Sequence, residues 1–315
     1  MKSLALAFAL LLSSVAHAAD PSPVRLALNW KPEPEFGGFY AAEQTGAYGR
    51  KGLKVEIIPG GAGQPVPQMV AAGKVEFGIV NADEVLIARA RGADLVALFA
   101  VYQTYPQGIM VHAAKGFKKL EDVFKSDSTL AIEKGAAYAS FLIKKYGSGK
   151  LKLVPYSGGV AGFLHDPNLA QQCFVTSEPV AAKKEKGDPQ TFMIADSGYN
   201  PYTTVVVANG AYVKKNRALV DRMIAATREG WQTYLAQPSA TNALMQKLNS
   251  SMDLAAFDEI AEIQKPLIET AETRKKGLGT MNVDRWRSLG QQLADLKVIE
   301  QAPGAVQLKD ALLQK

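Results

Sequence analysis

Residue types that make and break bonds are scarce in this chain, and they stand where no catalytic spacing joins them. His112 and His165 lie beyond the N-terminal region, and Cys173, the one cysteine, sits beside Phe174 in an apolar run. A nucleophilic Cys–His pair needs a motif or a partner that brings the two together, and none is readable here. Cys173 therefore reads as a small buried residue. No G-x-S-x-G, H-E-x-x-H or G-x-G-x-x-G motif occurs. The stretch Gly60-Gly61-Ala62-Gly63-Gln64-Pro65 resembles a phosphate loop only superficially, because the Lys-Ser/Thr that would follow is missing. It remains a glycine-rich turn whose N–H groups, with Gln64, can hold an anionic or polar group. The residues point to no metal site and no cofactor.

Aromatic and acidic residues gather instead at connections. Trp30, Phe36, Phe39 and Tyr40 lie in and after one loop, Tyr102 and Tyr105 follow an apolar run, and Tyr199 and Tyr202 occupy SGYNPYTT. Rings collected in this way make a slot for a flat apolar ligand with polar edges. Glu33, Asp83, Glu84 and Glu178 stand near them. Glu178 is set apart from an ordinary surface carboxylate because it follows an apolar strand and precedes a proline.

These connections need strands and helices to place them. Short β-branched runs predict strands over 24–29, 53–58, 75–80 and 95–101, alternating with amphipathic helices over 38–45, 65–72 and 83–91. A second α/β stretch follows, with strands near 129–132, 152–155, 172–175 and 192–195 and a long apolar run over 203–208. In open α/β sheets ligands sit beyond the carboxyl ends of strands, and the crowded loop after residue 29 occupies such a place. Beyond 213 the pattern is almost all helix, and Trp231 and Trp286 fall on apolar stripes at three-to-four spacing, which makes them core residues. Those helices need a sheet to cover, so the C-terminal third is expected to return to the first α/β unit. The middle segment is then an inserted second domain: lobe I comprises 19–110 and 206–315, lobe II 111–205, joined by crossing strands near 110–112 and 204–206.

Compartment and partners follow from the ends and the charge. Lys2, the apolar run from Leu4 to Leu12 and Ala16-His17-Ala18 have the pattern of a secretory signal peptide over 1–18, cleaved after Ala18. The run is far shorter than the roughly 20 residues of a membrane span, which predicts a mature protein free in the periplasm. One cysteine allows no internal disulfide, so the exported chain must rely on its core. The net charge of +6 comes from lysines scattered among acids rather than from a basic stripe, which argues against nucleic acid as a partner.

The segment NWKPEPEFGGFYAAEQTGAYGRKGLKVEI resembles the opening signature of solute-binding proteins for thiamine-pyrimidine precursors. In that family an Asn/Asp-Trp-x-Pro loop leads into Gly-x-Tyr-x-Ala, Gly-x-Tyr and Gly-Leu-x-Val. GGAGQPVPQMVAAGKVEFGIVNADEVLIARARG is similar to the next block. The resemblance implies the two-lobed periplasmic-binding fold, type II, with a hinge of two crossing strands that encloses a small molecule. It also implies a monomer that delivers its ligand to the permease of an ABC importer. Relatives bind alkylsulfonates, riboflavin and other small molecules, so the likeness leaves open an aminopyrimidine, a flavin or an anion. The yeast branch is an enzyme that makes the pyrimidine from bound cofactor and histidine with a cysteine-rich motif, and that motif is missing here. Glu33 and Phe36 stand where pyrimidine binders often carry Asn and His. From the residues and this resemblance together, the expected ligand contacts are Asn29, Trp30, Glu33, Phe36, Gly38, Tyr40, Gln64, Asp83, Glu84, Tyr105, Glu178, Tyr199 and Tyr202, with Gly37 and Gly38 letting the backbone pass close to the ligand.

Overall fold

A computed structural model describes residues 21–313, and the expected signal peptide lies outside them. The described strands are, in chain order, β1 (Ser22–Ala27), β2 (Leu53–Ile58), β3 (Phe77–Val80), β4 (Leu95–Tyr102), β5 (Gln107–His112), β6 (Thr129–Ala131), β7 (Lys152–Val154), β8 (Leu169–Phe174), β9 (Pro189–Met193) and β10 (Thr203–Asn209). They form two five-stranded sheets, in the orders β2-β1-β3-β10-β4 and β7-β6-β8-β5-β9. Each sheet is parallel at one side and receives one strand against the grain. β10 runs antiparallel to β3 and β4, and β5 runs antiparallel to β8 and β9.

This topology is the expected pair of lobes, the second inserted into the first. The crossing points differ from expectation. Residues 110–112 lie inside β5, wholly in the second sheet, and 204–206 lie inside β10, wholly in the first. The chain passes between sheets at 103–106 and returns at 194–202. An apolar strand shows the same pattern whichever sheet it joins, so periodicity could not set these limits.

All eight residues of β4 are buried, although it is an edge strand. The edge is covered from the C-terminal third: Ala97 pairs with Leu312 and Ala100 with Gly279. The same third supplies the helix Arg217–Ala236, which lies along the helix Gly37–Gln44. Trp231 is fully buried there, edge-on to Phe39 with ring centroids 5.8 Å apart.

That contact explains the Gly37-Gly38 pair. A β-carbon on Gly38 would stand 2.2 Å from the Trp231 ring, and one on Gly37 would stand 2.1 Å from the Tyr234 ring. Close helix packing, not passage of a ligand, requires glycine at both. Gly38→Ala is expected to lower stability by about 3 kcal/mol, the upper end of typical overpacking. A denaturant midpoint equal to the parent's would show that the helices can slide apart at no cost.

Candidate ligand-binding cleft

A cavity of about 220 Å³ lies between the two sheets. Its walls follow from strand polarity. Asn29 and Trp30 follow β1, Asn81 follows β3, Glu133 follows β6, Tyr156 follows β7, and Ser177 and Glu178 follow β8. All five are parallel strands whose carboxyl ends face the gap. The two antiparallel strands meet the same gap with their beginnings, which brings in Gln107 at the start of β5 and Thr203 and Thr204 at the start of β10.

The loop after β1 is held by residues far along the chain. Asn249 donates from Nδ2 to the Pro32 carbonyl at 3.1 Å, and Gln264 donates from Nε2 to the Pro34 carbonyl at 3.0 Å. Two prolines stiffen the loop and two buried amides anchor it. Trp30 remains 36% exposed and donates from Nε1 to Glu33 at 3.2 Å. Gly60 completes the support, because any β-carbon there would lie 2.1 Å from the Leu28 carbonyl oxygen.

Acceptors dominate the cavity. Glu33 and Glu35 enter from the first lobe, and Glu133 and Glu178 from the second. Burial, then the Glu178 charge, pushes Glu33 up to about 7. Burial, with Glu33 and Glu178 beside it, pushes Glu35 well above the usual carboxylate range. Burial also raises Glu178, against the pull of its hydrogen bond from Tyr156. Glu178 accepts from the Tyr156 hydroxyl at 2.8 Å and from the Phe174 N–H at 2.7 Å. The Gln172 amide oxygen takes the Tyr138 hydroxyl at 2.5 Å and the Glu133 N–H at 2.6 Å, leaving its NH2 as the free side of the group. Asn29 Oδ1 and Thr203 Oγ1 are buried with no hydrogen-bond partner. Thr204, a β-branched residue, sits at φ +53°, in the left-handed region. Such strain is held by its surroundings and costs of order 1–3 kcal/mol.

Of the thirteen expected contacts, the cavity brings together Asn29, Trp30, Glu33 and Glu178. The others are placed elsewhere. Phe36 and Tyr40 are buried in the core of the first lobe, as Gly38 is in its helix contact. Gln64 lies off the cavity, with Nε2 at 3.7 Å from Met69 Sδ. Glu84 accepts from the Asn81 N–H at 2.7 Å, one half of a helix cap. Asp83, Tyr105, Tyr199 and Tyr202 belong to the crossing segments and their supports: Tyr199 donates to Asp83 at 2.8 Å and meets Tyr105 edge-on, while Tyr202 accepts from the Asn282 N–H at 2.9 Å. Aromatic residues near a cleft brace the hinge as readily as they line it. Asn81, Glu133 and Tyr156 were within reach of the strand-end rule, because each follows an expected strand. Gln107, Thr203 and Thr204 were not, since that rule looks only at carboxyl ends.

A family model described as NMT1/THI5 like matches residues 33–241, a span holding most of the cavity walls. The chain belongs to the NMT1/THI5-like family. Among its relatives, the riboflavin-binding protein RibY of Chloroflexus aurantiacus is 21% identical over 292 residues, covering 87% of this chain and 83% of that one. The formylaminopyrimidine-binding protein of Halalkalibacterium halodurans is 22% identical over 278 residues, covering 84% and 83%. In structure this NMT1/THI5-like chain is similar to the periplasmic aliphatic sulphonate binding protein SsuA from Escherichia coli, with a TM-score of 0.71 at 16% identity over 94% of this chain and 93% of that one. The two lobes are thus those of the periplasmic-binding fold.

Proposed function

We propose that this NMT1/THI5-like protein is the solute-binding subunit of an ABC importer, working as a monomer in the periplasm and closing its lobes on a small heteroaromatic with amino-bearing edges. The inter-lobe cavity carries the proposal: three rings, Trp30, Tyr156 and Phe174, share it with acceptors from both lobes. Rings bind a flat face, and carboxylates accept from ring N–H and amino groups. At about 220 Å³ the cavity is below the roughly 300–1,000 Å³ of drug-sized sites, which favours one ring over a three-ring flavin.

An anion carrier is the rival within the same fold. It would need arginine or many free N–H groups, whereas among the described residues no Lys or Arg lines this cavity, and each unpaired carboxylate repels an anion. An enzyme of pyrimidine synthesis is the rival of another class. The one cysteine is buried, and burial pushes its thiol well above the ordinary range, away from thiolate chemistry. Product formed on incubation with pyridoxal phosphate and iron would reverse the choice.

Trp30 gives the direct test. Trp30 is the tryptophan that lines the cavity, while Trp231 and Trp286 are fully buried, so the fluorescence change on addition of an aminopyrimidine that is lost with the Trp30 ring reports on Trp30. Trp30→Ala is expected to abolish that change and weaken binding by at least about 1 kcal/mol, with the melting temperature kept. Unchanged affinity would remove stacking on Trp30 from the site.

A further inference from the structure

Gln172 stands apart in the cleft because the direction of its amide is settled. It lies on β8, the central strand of the second sheet, and is only 5% exposed, yet it lines the inter-lobe cavity. A side-chain amide can be turned end for end, and its surroundings decide which end is oxygen. Here the Glu133 N–H, 2.6 Å away, can only donate, so the atom facing it is the carbonyl oxygen. The Tyr138 hydroxyl donates to the same oxygen at 2.5 Å. Both partners lie just beyond β6, which pairs with β8 in parallel, so the sheet itself sets the clamp.

The other end is an NH2 that the protein does not use. Among the described residues Gln172 Nε2 has no hydrogen-bond partner. Nor is it one of the buried atoms closed off from solvent, as Thr203 Oγ1 is. The donor end therefore keeps a surface, and the space that its residue lines is the cavity. Phe174, two residues on and so on the same face of β8, lines the cavity as well, which puts a ring and a fixed donor side by side. A solute made only of donors would suit the glutamates and leave this NH2 unpaired, and a buried polar group without a partner is costly.

Resting on the heteroaromatic reading of the cleft, we infer that Gln172 selects the solute: its NH2 donates to an acceptor on the ligand, a ring nitrogen without hydrogen, so that the ring bound here carries that nitrogen together with its amino group. The carboxylates take the amino hydrogens, and Gln172 tells a heteroaromatic amine from a carbocyclic one of the same shape. A site built to hydrogen-bond one atom rejects the analogue that lacks it, because the site's own group is then left unpaired.

The test compares 2-amino-4-methylpyrimidine with 3-methylaniline, which has the same outline and the same amine but a C–H at each ring nitrogen. Calorimetry is expected to show the pyrimidine bound at least about tenfold tighter. In the parent, the Gln172 side-chain N–H signals should move downfield with the pyrimidine and stay in place with the aniline. Gln172→Glu keeps an oxygen for the Glu133 N–H and the Tyr138 hydroxyl and replaces the donor with an acceptor. In alkaline buffer, where the introduced carboxyl is ionised and both probes are uncharged, it should lose the preference for the pyrimidine and hold its melting temperature. Equal affinity of the two rings for the parent, Gln172 signals unmoved at saturation with the pyrimidine, or the preference kept in the variant would each overturn the inference. Should the variant fail to fold, the two measurements on the parent decide. If 2-piperidone, a non-aromatic lactam, binds and shifts Gln172 while neither ring binds, the heteroaromatic reading fails and the Gln172 donor stands. If none of the three probes moves Gln172, the donor fails.

Discussion

Glu178→Ala is expected to lower stability by about 2–4 kcal/mol and to weaken binding of an aminopyrimidine at least about tenfold. The stability loss comes from two donors left behind, the Tyr156 hydroxyl and the Phe174 N–H, both now held by the carboxylate. Each buried group left unpaired costs about 1–3 kcal/mol. The affinity loss comes from removing a charged acceptor in the inter-lobe wall, worth about 1.5–3 kcal/mol. Glu178→Gln separates the two. Its amide keeps an oxygen for Phe174 and can donate to the Tyr156 oxygen, so the melting temperature should hold while affinity still falls about tenfold.

The glutamine variant also changes a titration. The Glu178 charge is the second cause, after burial, of the rise in Glu33 to about 7. Removing it should bring Glu33 down toward the ordinary range. A carboxyl whose folded pKa is raised favours the fold most below its unfolded value, and that contribution fades as pH climbs through the folded one. For Glu33 the window runs from the usual carboxylate range up to about 7, and it should narrow in Glu178→Gln. NMR titration of Glu33 and melting curves across this window check both points. A variant that binds as tightly as the parent and leaves Glu33 unmoved would take Glu178 out of the site.

Arg285→Ala is expected to cost about 3–5 kcal/mol and to loosen the relation between the lobes. From the helix Val283–Asp295, Arg285 donates to the Gln103 carbonyl at 2.5 Å in one crossing segment, and to the Asn200 carbonyl and Oδ1, at 2.8 and 3.0 Å, in the other. Asn200 Oδ1 accepts as well from the Tyr105 N–H at 2.8 Å. The guanidinium also lies 3.9 Å from the Tyr202 ring centroid. Hydrogen bonds from a charged donor contribute about 1.5–3 kcal/mol each, and water entering the vacated space offsets part of their loss. One side chain bonds both crossings, and Arg285→Lys should recover little because an ammonium lacks the planar fork. Small-angle scattering of the ligand-free variant should show a broader or more expanded particle than the parent. The same melting temperature and the same scattering profile would mean that the crossings keep their places without it.

Much of the cleft was legible before any coordinates because the parallel strands announce themselves. Apolar runs such as 53–58 end in polar or glycine-rich connections, and residues just past such ends in parallel sheets face the ligand side. That rule pointed to the places of Asn29, Trp30, Glu33 and Glu178, while the alternation of strand and helix patterns carried the α/β class and the apolar stripes of the late helices their return to the first sheet. It could not reach Gln107, Thr203 and Thr204, because strand direction is set by pairing with partners distant in sequence. Nor could it separate a ring that lines a cavity from one that braces a hinge: Tyr105, Tyr199 and Tyr202 have the composition of a binding loop and the contacts of a support. Gly37 and Gly38 met the same limit, since the rings that exclude a β-carbon there come from Tyr234 and Trp231 on another helix. Local sequence carries the periods of strands and helices, which depend on neighbours. The anchoring of Pro32 by Asn249 and Pro34 by Gln264 joins residues 217 and 230 positions apart, and contacts of that reach exist only once the core has brought the segments together.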